Sequence, residues 1–175
     1  LPVGAADLTF GVTATRVTKQ ESSAVLLDGV EVAPAQDFLG NLNFSSVGFA
    51  SPEWRVNGFV NYNRDRHNVR LTGRYVSELT DERFIKGGEY EDGFVPGGLQ
   101  PGTNSPFDAL SYPNVDSSFL VDATYVFELN ENIRLSGTIS NIFDEDPPFI
   151  LNEFGYVPRI ANPLKRTFEI GIKAT

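Results

Sequence analysis

Polar and apolar residues alternate with a period of two in several long runs of this chain, the pattern of a strand with one apolar and one polar face. In the clearest run, residues 54–63, Trp54, Val56, Gly58, Val60 and Tyr62 take one side and Arg55, Asn57, Asn61 and Asn63 the other, with Phe59 out of step. A polar link at residues 64–67 leads to Val69, Leu71, Gly73 and Tyr75 opposing Arg70, Thr72 and Arg74, so the two runs form a hairpin. A second hairpin sets Phe119, Val121, Ala123, Tyr125 and Phe127 against Asp122, Thr124 and Glu128. It turns at Asn130-Glu131-Asn132 and returns with Ile133, Leu135, Gly137 and Ile139 opposite Arg134, Ser136, Thr138 and Ser140. An early run at 7–17 and a late one carrying Phe168, Ile170 and Ile172 complete the set. The expected strands lie near 7–17, 54–64, 68–78, 117–128, 133–141 and 166–173.

Runs of about 9–11 residues suit tilted strands that cross a bilayer, whereas soluble strands are usually shorter. Two apolar faces carry aromatics at their ends, Trp54 and Tyr62 in one and Phe119 and Phe127 in the other, as interfacial girdles would produce. The connections alternate between short polar links and long segments at 18–52, 79–116 and 142–165 that are rich in Gly, Pro, Asp and Asn. Such asymmetry is that of an outer-membrane barrel, with short periplasmic turns and long extracellular loops. The first long segment leaves room for short strands, for example at 25–27 or 42–44. The fold class expected is therefore all-β: about six antiparallel strands of a larger transmembrane β-barrel.

Composition changes this picture little. The 175 residues are 41% hydrophobic, and a mean hydropathy of −0.18 is what an interleaved barrel wall and a soluble domain both give. No run reaches the roughly 18 apolar residues of a membrane-spanning helix. A net charge of −9 without a Lys/Arg cluster argues against nucleic-acid binding. The absence of cysteine excludes disulfides, thiolate catalysis and Cys-based metal centres. The opening Leu1-Pro2-Val3-Gly4 has no basic or apolar leader segment, so the expectation is a chain whose leader was removed or that starts within a longer one.

The segment Asn141-Ile142-Phe143-Asp144-Glu145-Asp146-Pro147-Pro148-Phe149 resembles the N-[IL]-F-[DN]-x-x-P hallmark near the C-terminus of TonB-dependent receptors. The likeness continues through Tyr156, Pro158-Arg159 and residues 166–172, which look like that family's final strand; residues 51–57 leading to Arg74-Tyr75-Val76-Ser77 are similar to its preceding hairpin. Together these stretches make up about half of the chain. The resemblance implies an outer-membrane location and uptake of a siderophore, cobalamin, haem or oligosaccharide. It also implies partners: membrane lipid, the remaining strands, a plug domain and the TonB complex. Family barrels have about 22 strands and end on an aromatic residue, whereas this chain ends Ala174-Thr175. The expectation is thus a C-terminal part of a receptor, short of its last residue or two, that needs the rest of the barrel.

Candidate chemistry is sparse. Tyr90, Glu91, Asp92 and Phe94, with Phe107, Tyr112 and Trp54, offer rings and carboxylates that stack on or bind a ligand from a loop; for any single one of them a solvated loop packed on its own rings is the favoured reading, with some contact between the long loops and a ligand expected. Arg55, Asn57, Arg70, Arg74, Asp122 and Arg134, with Asn61 and Lys173, point to a lumen, where they contact the plug, line a path or simply hold water. Asp144, Glu145 and Asp146 lack EF-hand spacing, and turn chemistry accounts for them without a metal. His67 is the lone histidine, with no Ser/Asp order for a triad, and Gly87-Gly88 and Gly97-Gly98 carry no phosphate-loop lysine. No enzyme, metal or cofactor is expected. Two other classes stand beside the receptor: a non-transporting adhesin or structural barrel, and a soluble β-sandwich carbohydrate-binding module, which requires a second sheet against each apolar face.

Overall fold

A computed structural model describes residues 2–3, 6–43, 49–81, 85–86, 89–90, 114–150 and 154–174. Six long strands dominate it: β1 (Ala6–Arg16), β2 (Trp54–Arg64), β3 (His67–Val76), β4 (Ser118–Asn130), β5 (Ile133–Ser140) and β6 (Thr167–Ala174). They lie side by side in chain order, all antiparallel, and the two-residue strand Pro2–Val3 adds a seventh member beside β1. No helix occurs among the described residues.

Continuous register carries the alternation across the sheet, because residues directly opposite one another share a face. One apolar row runs Phe10, Val60, Leu71, Ala123, Ile139 and Phe168 from β1 to β6. Toward the long connections lie Val12, Gly58, Gly73 and Val121, then Ala14, Val56, Tyr75 and Phe119. Toward the short turns lie Leu8, Tyr62, Val69 and Tyr125. Rings stand at both ends of the face, Trp54, Tyr75 and Phe119 at one and Tyr62, Tyr125 and Phe127 at the other, while Phe10 and Phe168 lie in its central row.

Both short turns are two residues long, Asp65-Arg66 and Glu131-Asn132, tighter than the sequence suggested because the flanking strands extend further. Asp65 takes a left-handed φ of 52°, which short polar side chains tolerate. In the other turn the Asn130 side-chain oxygen accepts from the backbone N–H groups of Asn132 and Ile133, each at 2.9 Å. The neighbouring turns are tied together: Arg66 donates to the Leu129 carbonyl at 3.1 Å, and its own carbonyl accepts from Glu128 N at 2.9 Å.

Almost nothing on the sheet is buried. The apolar face leaves Phe10 65%, Phe168 71% and Ile170 87% exposed, and no second sheet packs on it among the described residues. The core lies instead at the loop end, where Leu42, Leu79, Val115, Ile150 and Val157 form one cluster with exposures of 1–7%, and Ala50 and Ile160 pack against it. These side chains come from all three long connections. Backbone bonds brace the cluster: Leu42 N to Thr80 O at 2.9 Å, Thr80 N to Gly40 O at 2.7 Å and Gly40 N to Ser51 O at 2.8 Å. Of the short strands left open by the sequence, Val25–Leu27 forms and pairs with Val30–Ala33 around Asp28-Gly29. Leu42 and Asn43 belong to the buried cluster region and not to a strand, and position 44 lies outside the described residues.

Candidate functional site

All eight residues expected to point to a lumen share the polar face. Its central row reads Thr9, Asn61, Arg70, Thr124, Thr138 and Glu169; Arg55, Asn57, Arg74 and Asp122 flank it toward the loops, and Arg134 toward the turns. Arg134 pairs with Glu128 across the β4–β5 hairpin, opposite Lys173 of β6. Asn68 donates to the side-chain oxygens of Asn61, at 3.0 Å, and Asn63. Thr124 and Thr138 hydroxyls lie 3.3 Å apart.

Phe59, out of step in the sequence, sits on this polar face for a local reason. Its ring lies over Gly11 of β1, where even a methyl group would stand 2.7 Å from Phe59 Cε1. The Arg70 guanidinium covers the ring from the next strand, 4.1 Å from its centroid, a cation–π contact worth about 0.5–1 kcal/mol when exposed. A ring opposite a glycine is the signal that alternation alone misses.

Asp122 joins the polar face to the loops. One of its oxygens accepts from the Arg74 guanidinium at 2.8 Å and the other from Asn141 N at 2.9 Å. Asn141, buried and at a φ of 53°, closes a reciprocal pair with Glu145: its Nδ2 donates to the Glu145 carbonyl at 2.8 Å, and its Oδ1 accepts from Glu145 N at 3.0 Å. Asp144, at a φ of 61°, accepts from Arg166 N at 2.8 Å just before β6. Asp146 pairs with Lys165 at 2.8 Å, and this bond and charge raise the Lys165 pKa above its ordinary 10.5. The carboxylates of Asp144 and Asp146 and the backbone of Glu145 thus organise a corner that returns the chain to the sheet, and the described residues hold no group of His, Cys, Asp and Glu suited to a metal.

Beside this corner, the connection from β5 to β6 folds toward the polar face and encloses a cleft of about 430 Å³, within the range of small-molecule sites. Arg74, Asp122, Ser140 and Asn141 line its strand side, and Arg159, Asn162 and Leu164 its loop side. Arg159 also lies 5.8 Å from the Phe49 ring of the first long connection. The sequence singled out Arg74 and Asp122 but gave no sign that residues 158–164 would meet them. Of the loop candidates, Tyr90 belongs to a two-residue strand, Glu89–Tyr90, paired with Ile85–Lys86; Glu91, Asp92, Phe94, Phe107 and Tyr112 lie outside the described residues. Trp54 does not join a loop: it opens β2 at the loop end of the apolar face, with Arg16 5.2 Å from its ring.

No family model matches the chain, and no curated protein matches it. Among solved structures, a mutant of the ferric enterobactin receptor from Pseudomonas aeruginosa is similar to it, with a TM-score of 0.49 and 10% sequence identity over 98% of this chain and 20% of that one. The chain spans a fifth of that receptor's length.

Proposed function

We propose that this chain is part of the wall of an outer-membrane transport barrel of the TonB-dependent kind, whose polar face and loop-end cleft meet the transported ligand or a plug. The observation that carries this reading is the bare apolar face: long meandering strands, aromatics at both ends, and Ile170 left 87% exposed. A water-soluble protein buries such a face, and lipid is the solvent that does not require it. The reading is supported further by the segment at residues 141–149, which behaves as a structural corner and resembles the receptor motif. The ligand class is a siderophore, cobalamin, haem or oligosaccharide, and no bond is made or broken. The remaining strands, a plug and the TonB complex are the partners this role requires.

An adhesive barrel is the second reading, favoured by the hairpin at residues 25–33, whose Val25, Leu26, Leu27, Val30 and Val32 are all 55–65% exposed. The first test is partitioning: the chain should enter detergent micelles or lipid vesicles and resist protease along its strands. A monomeric, cooperatively folded protein in detergent-free buffer would overturn the membrane assignment.

A further inference from the structure

Charge is nearly absent from the apolar face. Among the described strand residues in its rows only Arg16, Arg64 and His67 can carry any, all at strand ends. Arg16, at the loop end, is answered by Glu53 at 2.7 Å. The turn end differs. Arg64 and His67 are direct cross-strand partners that close the β2–β3 hairpin, in a row that continues through Phe127, Leu135 and Ile172, one step beyond the row of Tyr62 and Tyr125. The carboxylate of Asp65 stands 3.9 Å from Arg64 Nε, too far for a hydrogen bond, and the two terminal guanidinium nitrogens have no acceptor among the described residues. The His67 ring packs against Tyr125 and Phe127, with centroids 5.9 and 4.9 Å away, and its Nδ1 lies 2.6 Å from the Tyr125 hydroxyl. Nε2 is the ring nitrogen left for another partner.

Two nitrogen donors side by side, with no carboxylate hydrogen-bonded to either, suit an oxyanion. A phosphate oxygen selects the forms of His67 that carry a proton on Nε2, and the Tyr125 hydroxyl accommodates both: it donates to Nδ1 of the neutral ring and accepts from Nδ1 of the cation. The level is that of lipid phosphate, because Tyr62 and Tyr125 mark the interface at this end and a guanidinium grips phosphate through two parallel donors. Charge selects further, since a net-anionic lipid neutralises the pair whereas the ammonium of a zwitterionic lipid adds a like charge beside it. We propose that Arg64 and His67 bind the phosphate of one net-anionic phospholipid in the leaflet on the side of the short turns. The proposal rests on the membrane-wall reading.

His67 is the one histidine of the chain, so ¹³C labelling at histidine Cε1 gives one NMR signal that reports on this place alone. The 175-residue chain in dodecyl maltoside micelles is titrated at fixed pH with phosphatidylglycerol, with phosphatidylcholine of the same acyl chains, or with inorganic phosphate. The signal should move saturably with phosphatidylglycerol, at about tenfold lower mole fraction than with phosphatidylcholine, the discrimination a charge-assisted hydrogen bond supplies. Arg64→Gln should abolish that difference. Lys173→Gln removes the same charge from the polar face and should keep it, which separates a bound head group from the general attraction of a charged micelle. Equal response to the two lipids, or equal loss of the difference in the two variants, overturns the site. A matching shift with inorganic phosphate at the concentration of the lipid overturns it too, and assigns the pair to free phosphate. Diffusion measured in the same samples keeps the two readings apart: a chain that moves with the micelle leaves the wall reading standing whatever His67 shows, and one that diffuses as a free monomer overturns both.

Discussion

Asn141 shows how much one side chain can hold. Its amide closes the bond pair with Glu145 while its backbone N–H engages Asp122 and its φ stays left-handed. Asn141→Ala forfeits the amide bonds and strains the backbone, and should cost about 2–3 kcal/mol. Asn141→Gly forfeits the bonds but suits the φ, and should cost less; denaturant midpoints of both variants in one detergent test the order. Lys165 gives a pH prediction. Because Asp146 raises its folded pKa above the unfolded 10.5, the ion pair contributes fully below that value and is lost as pH climbs through the folded one. Titrating ¹⁵N-labelled Lys165 should show the raised midpoint, and Asp146→Asn should lower it toward 10.5.

At the scale of elements, the Arg66 bonds hold neighbouring turns in step. Arg66→Ala should leave each hairpin formed while loosening the β3–β4 junction, seen as faster amide exchange at Glu128 and unchanged exchange at mid-strand Leu71; equal protection at Glu128 in both proteins would contradict the role. Strands were the most legible part of the sequence. A face either meets solvent of one kind or another, and that demand writes itself into every second residue, so Val56, Leu71, Val121 and Ile139 announce their side without reference to any partner. The side of Phe59 followed from alternation, but what accommodates its ring there was illegible, because Gly11 stands 48 positions earlier in the chain and is adjacent only once β1 and β2 pair. The cluster of Leu42, Leu79, Val115, Ile150 and Val157 was hidden for the same reason, since single apolar residues in Gly- and Pro-rich stretches carry no period. The cleft inherited that gap: Arg74 and Asp122 could be read from their strands, but Arg159 is brought near by connections without periodicity.

For the whole molecule, the two faces of one sheet should respond oppositely to the same charge. Leu71 lies in the row midway along the apolar face, and its neighbour Thr72 faces Asp122 on the other side. In lipid vesicles Leu71→Lys should destabilise by about 2–4 kcal/mol, the cost of a cation near the bilayer midplane, and Thr72→Lys by under about 0.5 kcal/mol. Comparable losses at both positions would contradict a lipid-facing surface. The buried cluster beyond the strand ends has a further consequence for heredity. Its five side chains are drawn from three separate connections, so a change of bulk in one bears on the packing of the other two. Diversification of this outer rim must then proceed by correlated exchange, and chimeras that transplant one connection alone should assemble poorly where transplanting all three succeeds.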